Sequence, residues 1–251
     1  MAKVDLQFER PLLNAAGTLG FVPDRNCPVD IRQLGAFVTN PISLEPRRAA
    51  HGTRVLTYPG GFLLHTGFPN PGLRAVTRRY ARRWAQMPLP VLVHILARTA
   101  AEVHKMVLAL ESLEGVAGLE LGLPPGIDPA NALSLGQAAW GERPLVMRLP
   151  YENALEIGRA LVSNGGGIVS LSPPRGMLLG AGGAQISGRL YGPAVFPLML
   201  PVVQALAEMG LGVIGGGGIS TPQDTAAMLA AGAFAIQLDS LLWRGEIPAV
   251  S

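Results

Sequence analysis

The sequence predicts an α/β protein: a (β/α)8 TIM barrel with short N-terminal strands and an abbreviated last helix, in a single domain over residues 1–251. Three observations predict it. Short apolar runs rich in Val, Ile and Leu alternate with helical patterns from about residue 90 onward, as parallel βαβ units do. Eight such runs fit into 251 residues, which is the strand count and usual length of a closed barrel. The chain is 49% hydrophobic and only 15% charged, which excludes a disordered polymer. An open doubly wound sheet with the same strands is the structural rival.

The elements follow in order. Residues 11–16 and 35–39 read as the first two strands, short and closed by turn residues. The segment 48–64 is too polar and Gly-rich to carry an assignment. Then come a buried strand at 91–96 and a helix at 99–110, a strand at 118–122 and a helix at 129–140, a strand at 145–149 and a helix at 152–163. A strand at 168–172 leads into a long Gly/Pro-rich loop to residue 192, read as a lid over the barrel mouth, because loops of that length are usually functional or disordered. A helix at 193–209, a strand at 212–215, a helix at 222–231 and a strand at 233–238 complete the series. Only thirteen residues follow, 239–251, and 240–245 make one or two turns at most. A missing eighth helix would bare an apolar groove, and such surface marks an interface. A partner chain, or another part of this chain, is expected to cover it.

The charge pattern narrows function. Net charge is +3, and of 20 basic residues only Lys3 and Lys105 are lysines. Arg74, Arg78 and Arg82 share one helix face; a solvated face, with Tyr80 and Trp84 packing inward, is favoured over a nucleic-acid surface. The lone Cys27 excludes a disulfide framework, and the four histidines lack ligand spacing, so no metal is expected. The longest apolar stretch, 194–214, is broken by Pro197, Pro201 and Glu208, so no membrane span is expected. With no signal peptide in the first residues, a cytoplasmic location is expected.

One segment carries an anion-binding pattern. Gly215-Gly-Gly-Gly-Ile-Ser-Thr-Pro-Gln-Asp224 leaves a strand and opens a helix, with Thr221 as N-cap, Pro222 at the first helical position and Asp224 completing a capping box. Free N–H groups and the helix dipole attract phosphate there, and barrels often hold phosphate in the loops after strands seven and eight. A tight turn with no ligand is the alternative. Polar groups near strand ends are Asn40, His94, Glu120, Arg148, Ser170, Ser172 and Asp239. His94, Glu120 and Arg148 come from neighbouring strands and form either an acid–base site or a self-satisfied interior cluster, the latter favoured because buried charges must be paired. His65 and Thr66 sit in a loop, and Arg175 lies on the predicted lid within reach of an anionic ligand.

In motif order and spacing the chain resembles the dihydroorotate dehydrogenase family, FMN-dependent (β/α)8 barrels of pyrimidine synthesis. The matching stretches are Pro11-Leu-Leu-Asn-Ala-Ala-Gly17, Gly35-Ala-Phe-Val-Thr-Asn-Pro-Ile-Ser-Leu-Glu-Pro-Arg47, Gly67-Phe-Pro-Asn-Pro-Gly-Leu73, Leu119-Glu-Leu121, Tyr191-Gly-Pro-Ala-Val-Phe-Pro197, Val213-Ile-Gly-Gly-Gly-Gly-Ile-Ser-Thr221 and Ala230-Ala-Gly-Ala-Phe-Ala-Ile-Gln237. The resemblance implies an FMN-binding oxidoreductase. Its flavin phosphate would sit on Gly217 and Gly218, with Asp239, Ser240 and Gly192 nearby, and the turn at Ala15, Ala16 and Gly17 would lie along the ring. Asn40 stands where the family has a flavin-contacting Lys, and Arg148 matches a second Lys at the pyrimidine edge, the one catalytic candidate. Where the family carries its catalytic base, this chain has Gly122-Leu-Pro-Pro-Gly-Ile127, with no proton acceptor. Two substrate asparagines are matched by Leu64 and Ser170. Asp239 replaces a phosphate-side Gly, and a carboxylate repels a phosphate. Dihydroorotate oxidation needs a base as hydride passes to the flavin, so these departures count against that substrate. Two alternatives stand beside the oxidoreductase: a catalytically degenerate barrel subunit working with a partner chain in a homo- or hetero-oligomer, and a barrel binding another small-molecule ligand with a phosphate, with His94 or Glu120 as acid or base.

Overall fold

A computed structural model describes residues 6–249. Its strands are β1 (Leu12–Asn14), β2 (Phe37–Val38), β3 (Ile42–Ser43), β4 (Val55–Tyr58), β5 (Gly61–Leu64), β6 (Val91–Leu96), β7 (Val116–Gly122), β8 (Leu145–Leu149), β9 (Ile168–Leu171), β10 (Arg175–Leu179), β11 (Gln185–Tyr191), β12 (Gly212–Gly216) and β13 (Ala233–Leu238). The α-helices are α1 (Leu73–Ala85), α2 (Ala100–Glu111), α3 (Pro129–Ala138), α4 (Ala154–Ser163), α5 (Phe196–Glu208), α6 (Pro222–Ala230) and α7 (Ser240–Trp243).

Eight strands pair in parallel in the order β1-β13-β12-β9-β8-β7-β6-β2, and a parallel bridge from Leu13 to Ala36 closes the ring. The protein is therefore a closed TIM barrel, not an open sheet. Parallel strands with helices outside are buried on both faces, which is why β6 reads Val-Leu-Val-His-Ile-Leu without a polar stripe. Val91, Val93 and Ile95 join the core shared with the helices, while Leu92 packs inside the ring with Leu13, Val38, Val146, Ile168 and Ile214. Leu6 and Phe8 close the lower end against this inner cluster, Phe8 stacking on Phe234 at 6.1 Å. Above the apolar layer the inward positions turn polar.

Two sequence expectations need correction. The long loop after residue 172 is a hairpin, β10 with β11, and the unassigned segment 48–64 contains a second hairpin, β4 with β5. The two join as an antiparallel sheet in the order β10-β11-β5-β4 over the barrel rim. Their tips are Gly-rich, with Gly60, Gly182 and Gly183 at positive φ, and their strands are half exposed. Such strands lack the buried apolar run that marks barrel strands.

The groove left by the short last helix is covered from within the chain. Residues 15–36, the first crossover, hold only a 3-10 turn at Ile31–Gln33. Val22, Val29 and Leu34 from that crossover are buried, as are Leu241 and Leu242 of α7. The Trp243 indole donates to the Thr18 carbonyl at 3.0 Å. Thr221 and Asp224 form the expected capping box at the start of α6. On α1 the arginines are exposed, Trp84 donates to the Phe21 carbonyl at 2.8 Å, and Tyr80 stacks on Phe21. Lys105 is exposed on α2, and Lys3 lies outside the described residues. Among the described residues no helix is long and apolar enough to cross a membrane.

Candidate functional site at the barrel mouth

Register sets the polar layer. Glu120 of β7 pairs with His94 of β6, and Arg148 of β8 pairs with Gly122 and Ser170. Side chains alternate along a strand, so His94, Glu120, Arg148 and Ser170 enter the barrel together, joined by Gln237 of β13. Glu120 is the hub. It accepts from His94 Nδ1 at 2.6 Å, Ser170 Oγ at 2.7 Å, Gln237 Nε2 at 2.6 Å and Arg148 Nη1 at 3.4 Å. Arg148 also donates to Gln237 Oε1 at 2.9 Å. Glu120, Ser170 and His94 are almost wholly buried, and Arg148 and Gln237 nearly so.

The electrostatics follow. Burial favours the neutral acid at Glu120, but Arg148, then His94 and Ser170, outweigh it and hold the carboxyl below its ordinary range. Burial lowers His94, and the Arg148 charge adds to that against the pull of Glu120. His94 is thus neutral at pH 7 and donates its Nδ1 proton to Glu120. Gly122 makes room for this, since a Cβ there would lie 2.6 Å from His94 Nε2. Sequence reasoning placed His94, Glu120, Arg148 and Ser170 here and missed Gln237. The signal was present: one polar residue in the apolar strand Ala233–Leu238, at the parity of the barrel interior.

The remaining residues gather where β1, β13 and β12 run side by side, with Ala15 N donating to the Leu238 carbonyl at 2.7 Å. At the β1 end, Asn14 Nδ2 donates to the Val38 carbonyl at 2.7 Å and its Oδ1 accepts from Val38 N at 2.8 Å, which fixes the turn at Ala15, Ala16 and Gly17. Asn40 Oδ1 accepts from Gly20 N at 3.2 Å. A cavity of about 190 Å³ is lined by Ala16, Gly17, Asn40, Arg148, Tyr191 and Trp243. Phe62, Tyr191 and Trp243 pack together over this end.

After the neighbouring β12, Gly217 and Gly218 turn at positive φ beneath the start of α5. A Cβ on Gly218 would strike the Phe196 backbone nitrogen and come within 2.9 Å of the Gly192 carbonyl oxygen. Asp239 lies against this turn, 5% exposed. Its carboxylate accepts from the amide of Ser240 and, at 3.0 Å, from the Ser240 hydroxyl, and the Gly218 amide also faces it. Burial pushes the Asp239 carboxyl up, against the pull of those donors. Gly192, Gly217, Gly218, Asp239 and Ser240 therefore come together, and the Asp239 carboxylate takes both Ser240 donors.

The segment after β7 presents no proton acceptor. Leu123 N donates to the Arg148 carbonyl at 3.1 Å, and Pro124 and Pro125 line a larger cleft of about 520 Å³. Leu64 is paired in the antiparallel sheet opposite Val55 and Arg189. Asn70 latches β3, accepting from Ser43 N at 3.2 Å and Gly72 N at 3.0 Å.

Comparison with known proteins places these features. Residues 2–125 match the family model described as dihydroorotate dehydrogenase. Two curated relatives are each named "Dihydroorotate dehydrogenase B (NAD(+)), catalytic subunit". The one from Pelobacter propionicus is 30% identical over 93% of this chain and 84% of its own length. The one from Desulforudis audaxviator is 31% identical over 94% of this chain and 84% of its own. Among solved structures, a DHODH from Eimeria tenella in complex with ferulenol superposes with a TM-score of 0.77 at 18% identity, over 96% of this chain and 78% of that one.

Proposed function

The chain belongs to the dihydroorotate dehydrogenase family, and from that premise we propose that it keeps the family's barrel without its flavin-dependent oxidation of dihydroorotate, as a catalytically degenerate subunit. One observation carries the reading. The Ser240 donors that a flavin phosphate would need are engaged by the Asp239 carboxylate, which lies against the Gly218 turn. A phosphate there would have to displace a buried carboxylate and then sit beside it. Like charges 4 Å apart repel by about 4 kcal/mol per pair at an effective dielectric of about 20, and the displaced carboxylate would lose its donors. An FMN phosphate does not fit beside Asp239 at this turn.

The rest of the mouth supports the same reading. Asn40 offers the flavin no charge and is bonded to Gly20. Arg148 keeps a positive charge on β8, but Gln237 and Glu120 hold its Nη1 inside the barrel. No group between Leu123 and Ile127 accepts a proton. The two relatives are named catalytic subunits, which are parts of assemblies, so we carry to this chain an oligomer with a companion subunit.

A second reading keeps the family's FMN chemistry on a substrate other than dihydroorotate. It is favoured by the turn at Ala15, Ala16 and Gly17, which shares a cavity with Arg148 as a flavin ring would require. The visible absorption spectrum of the pure protein, before and after FMN is added and dialysed, decides between them. The degenerate reading expects no flavin band to remain. Stoichiometric bound flavin would replace it with the second.

A further inference from the structure

We propose that the cleft between the antiparallel sheet and the barrel rim binds a phosphate-bearing small molecule through Arg175 and Arg189. The two arginines are direct register partners on β10 and β11. Directly opposed residues of an antiparallel pair project to the same face, and like charges there are unfavourable. Both line the cleft of about 520 Å³. Neither guanidinium has an ion-pair partner among the described residues, where the paired arginines are Arg32, Arg148 and Arg244. Glu45 and Glu102 also line the cleft, but Glu102 accepts from the Arg98 backbone N at 2.8 Å and Glu152 from the Arg175 backbone N at 2.9 Å, and none of the three is ion-paired to either guanidinium. Two cations without an ion-pair partner on one face of a cavity favour an anion there.

Arg189 is built into position. Its guanidinium lies over the Phe68 ring at 4.0 Å, and a stacked guanidinium keeps its edge donors free for an oxyanion. Burial, and then the charges of Arg148 and Arg175, pull it down to about 10, which leaves it cationic at neutral pH. Arg47 and Arg98 stand on other walls of the cleft. Five arginines face two glutamates across the lining, an excess greater than one carboxylate neutralises, whereas a phosphate monoester carries nearly two negative charges and three acceptor oxygens, matched to guanidinium forks. Leu64, Leu96 and Leu123 line the remainder, so the organic part of the ligand would rest on apolar surface. The volume falls in the range of small-molecule sites. None of Gly217, Gly218, Asp239 and Ser240 lines this cleft; Arg189, Leu64 and Phe68 also line the cavity beside Ala16 and Gly17, so the phosphate site adjoins the seat that a flavin ring would take.

Titration calorimetry of the full chain with inorganic phosphate and with phenyl phosphate tests it. One saturable site is expected, tighter for phenyl phosphate. Arg175→Gln, an exposed position, and Arg189→Met, which keeps the stem on Phe68, should each weaken binding about tenfold or more. Arg83→Gln on α1 should leave it unchanged. If Arg189→Met fails to fold by circular dichroism, Arg175→Gln carries the test. Absence of saturable binding by either probe, or an affinity that Arg175→Gln does not move, overturns the proposal. So does binding that responds to Asp239→Gly instead, which would put the anion at the glycine turn.

Discussion

Glu120 has four donors and no exposure, so its removal has consequences that can be sized. Glu120→Ala would leave Arg148 as a buried cation with only Gln237 beside it, and breaking a buried pair costs about 3–5 kcal/mol. Urea denaturation should show a fall in stability of that order. His94 adds a pH dependence. Its pKa is lowered in the folded protein, so the unfolded chain takes up the proton first, near pH 6.5. Stability should therefore fall as pH drops below about 6.5, with a slope of up to about 1.4 kcal/mol per pH unit for one proton. Glu120, lowered in the fold, adds a loss only below its unfolded value, near 4.5. His94→Gln should flatten the limb between about pH 6.5 and 5; a limb of unchanged slope would assign it to another group. At the glycine turn, Asp239→Gly removes the carboxylate that fills the donor set. The variant should gain FMN binding, visible as retained absorbance after dialysis, where the parent retains none. A variant as colourless as its parent would mean that Asp239 is not what closes the seat.

At the scale of elements, the barrel was legible in the sequence because its strands are buried on both faces. The strands predicted at 91–96, 145–149 and 233–238 are those observed, and each is a continuous run bounded by Gly or Pro. The hairpin strands were not legible. Arg175–Leu179 and Val55–Tyr58 alternate between exposed and half-buried, and their apolar residues face both solvent and cleft, so no period stands out. The polar layer was half legible: His94, Glu120 and Arg148 announce themselves as polar groups inside apolar strands, but hydrogen bonding to Gln237 depends on closure between β8 and the distant β13. The tie between Asp239 and Gly218 likewise depends on two loops that meet only once the ring closes. Helix starts were the most readable features, since a capping box is a local pattern. At α6, Thr221 accepts from Asp224 N at 3.1 Å and Asp224 accepts from Thr221 N at 2.9 Å. Thr221→Ala should cost about 1 kcal/mol, a drop in melting temperature of about 2–4 °C for a chain of this size. A melting point unchanged by the substitution would show that packing of α6 alone fixes the end.

For the molecule as a whole, among the described residues the first crossover holds only a 3-10 turn and the helix after β13 only one turn, and the ring closes beneath them. The irregular crossover 15–36 and the single turn of α7 cover the same groove, pinned where Trp243 donates to Thr18. Leu242 belongs to that cover and is fully buried in the main core. If the cover is part of the one core, a large-to-small change at Leu242 should weaken the entire ring by about 2–5 kcal/mol and leave a single cooperative transition. If α7 were only an appended clasp, the same change would produce an early, separate unfolding step. The antiparallel sheet provides the contrast. Leu179, 66% exposed at its outer strand, contributes little to the core, and Leu179→Ser should fall within about 0.5 kcal/mol of the parent. Thermal melts of Leu242→Ala and Leu179→Ser, followed by near-ultraviolet dichroism, distinguish these outcomes. A biphasic melt for Leu242→Ala would mean that the eight strands stand without their cover, and that the groove is free to receive another chain in solution.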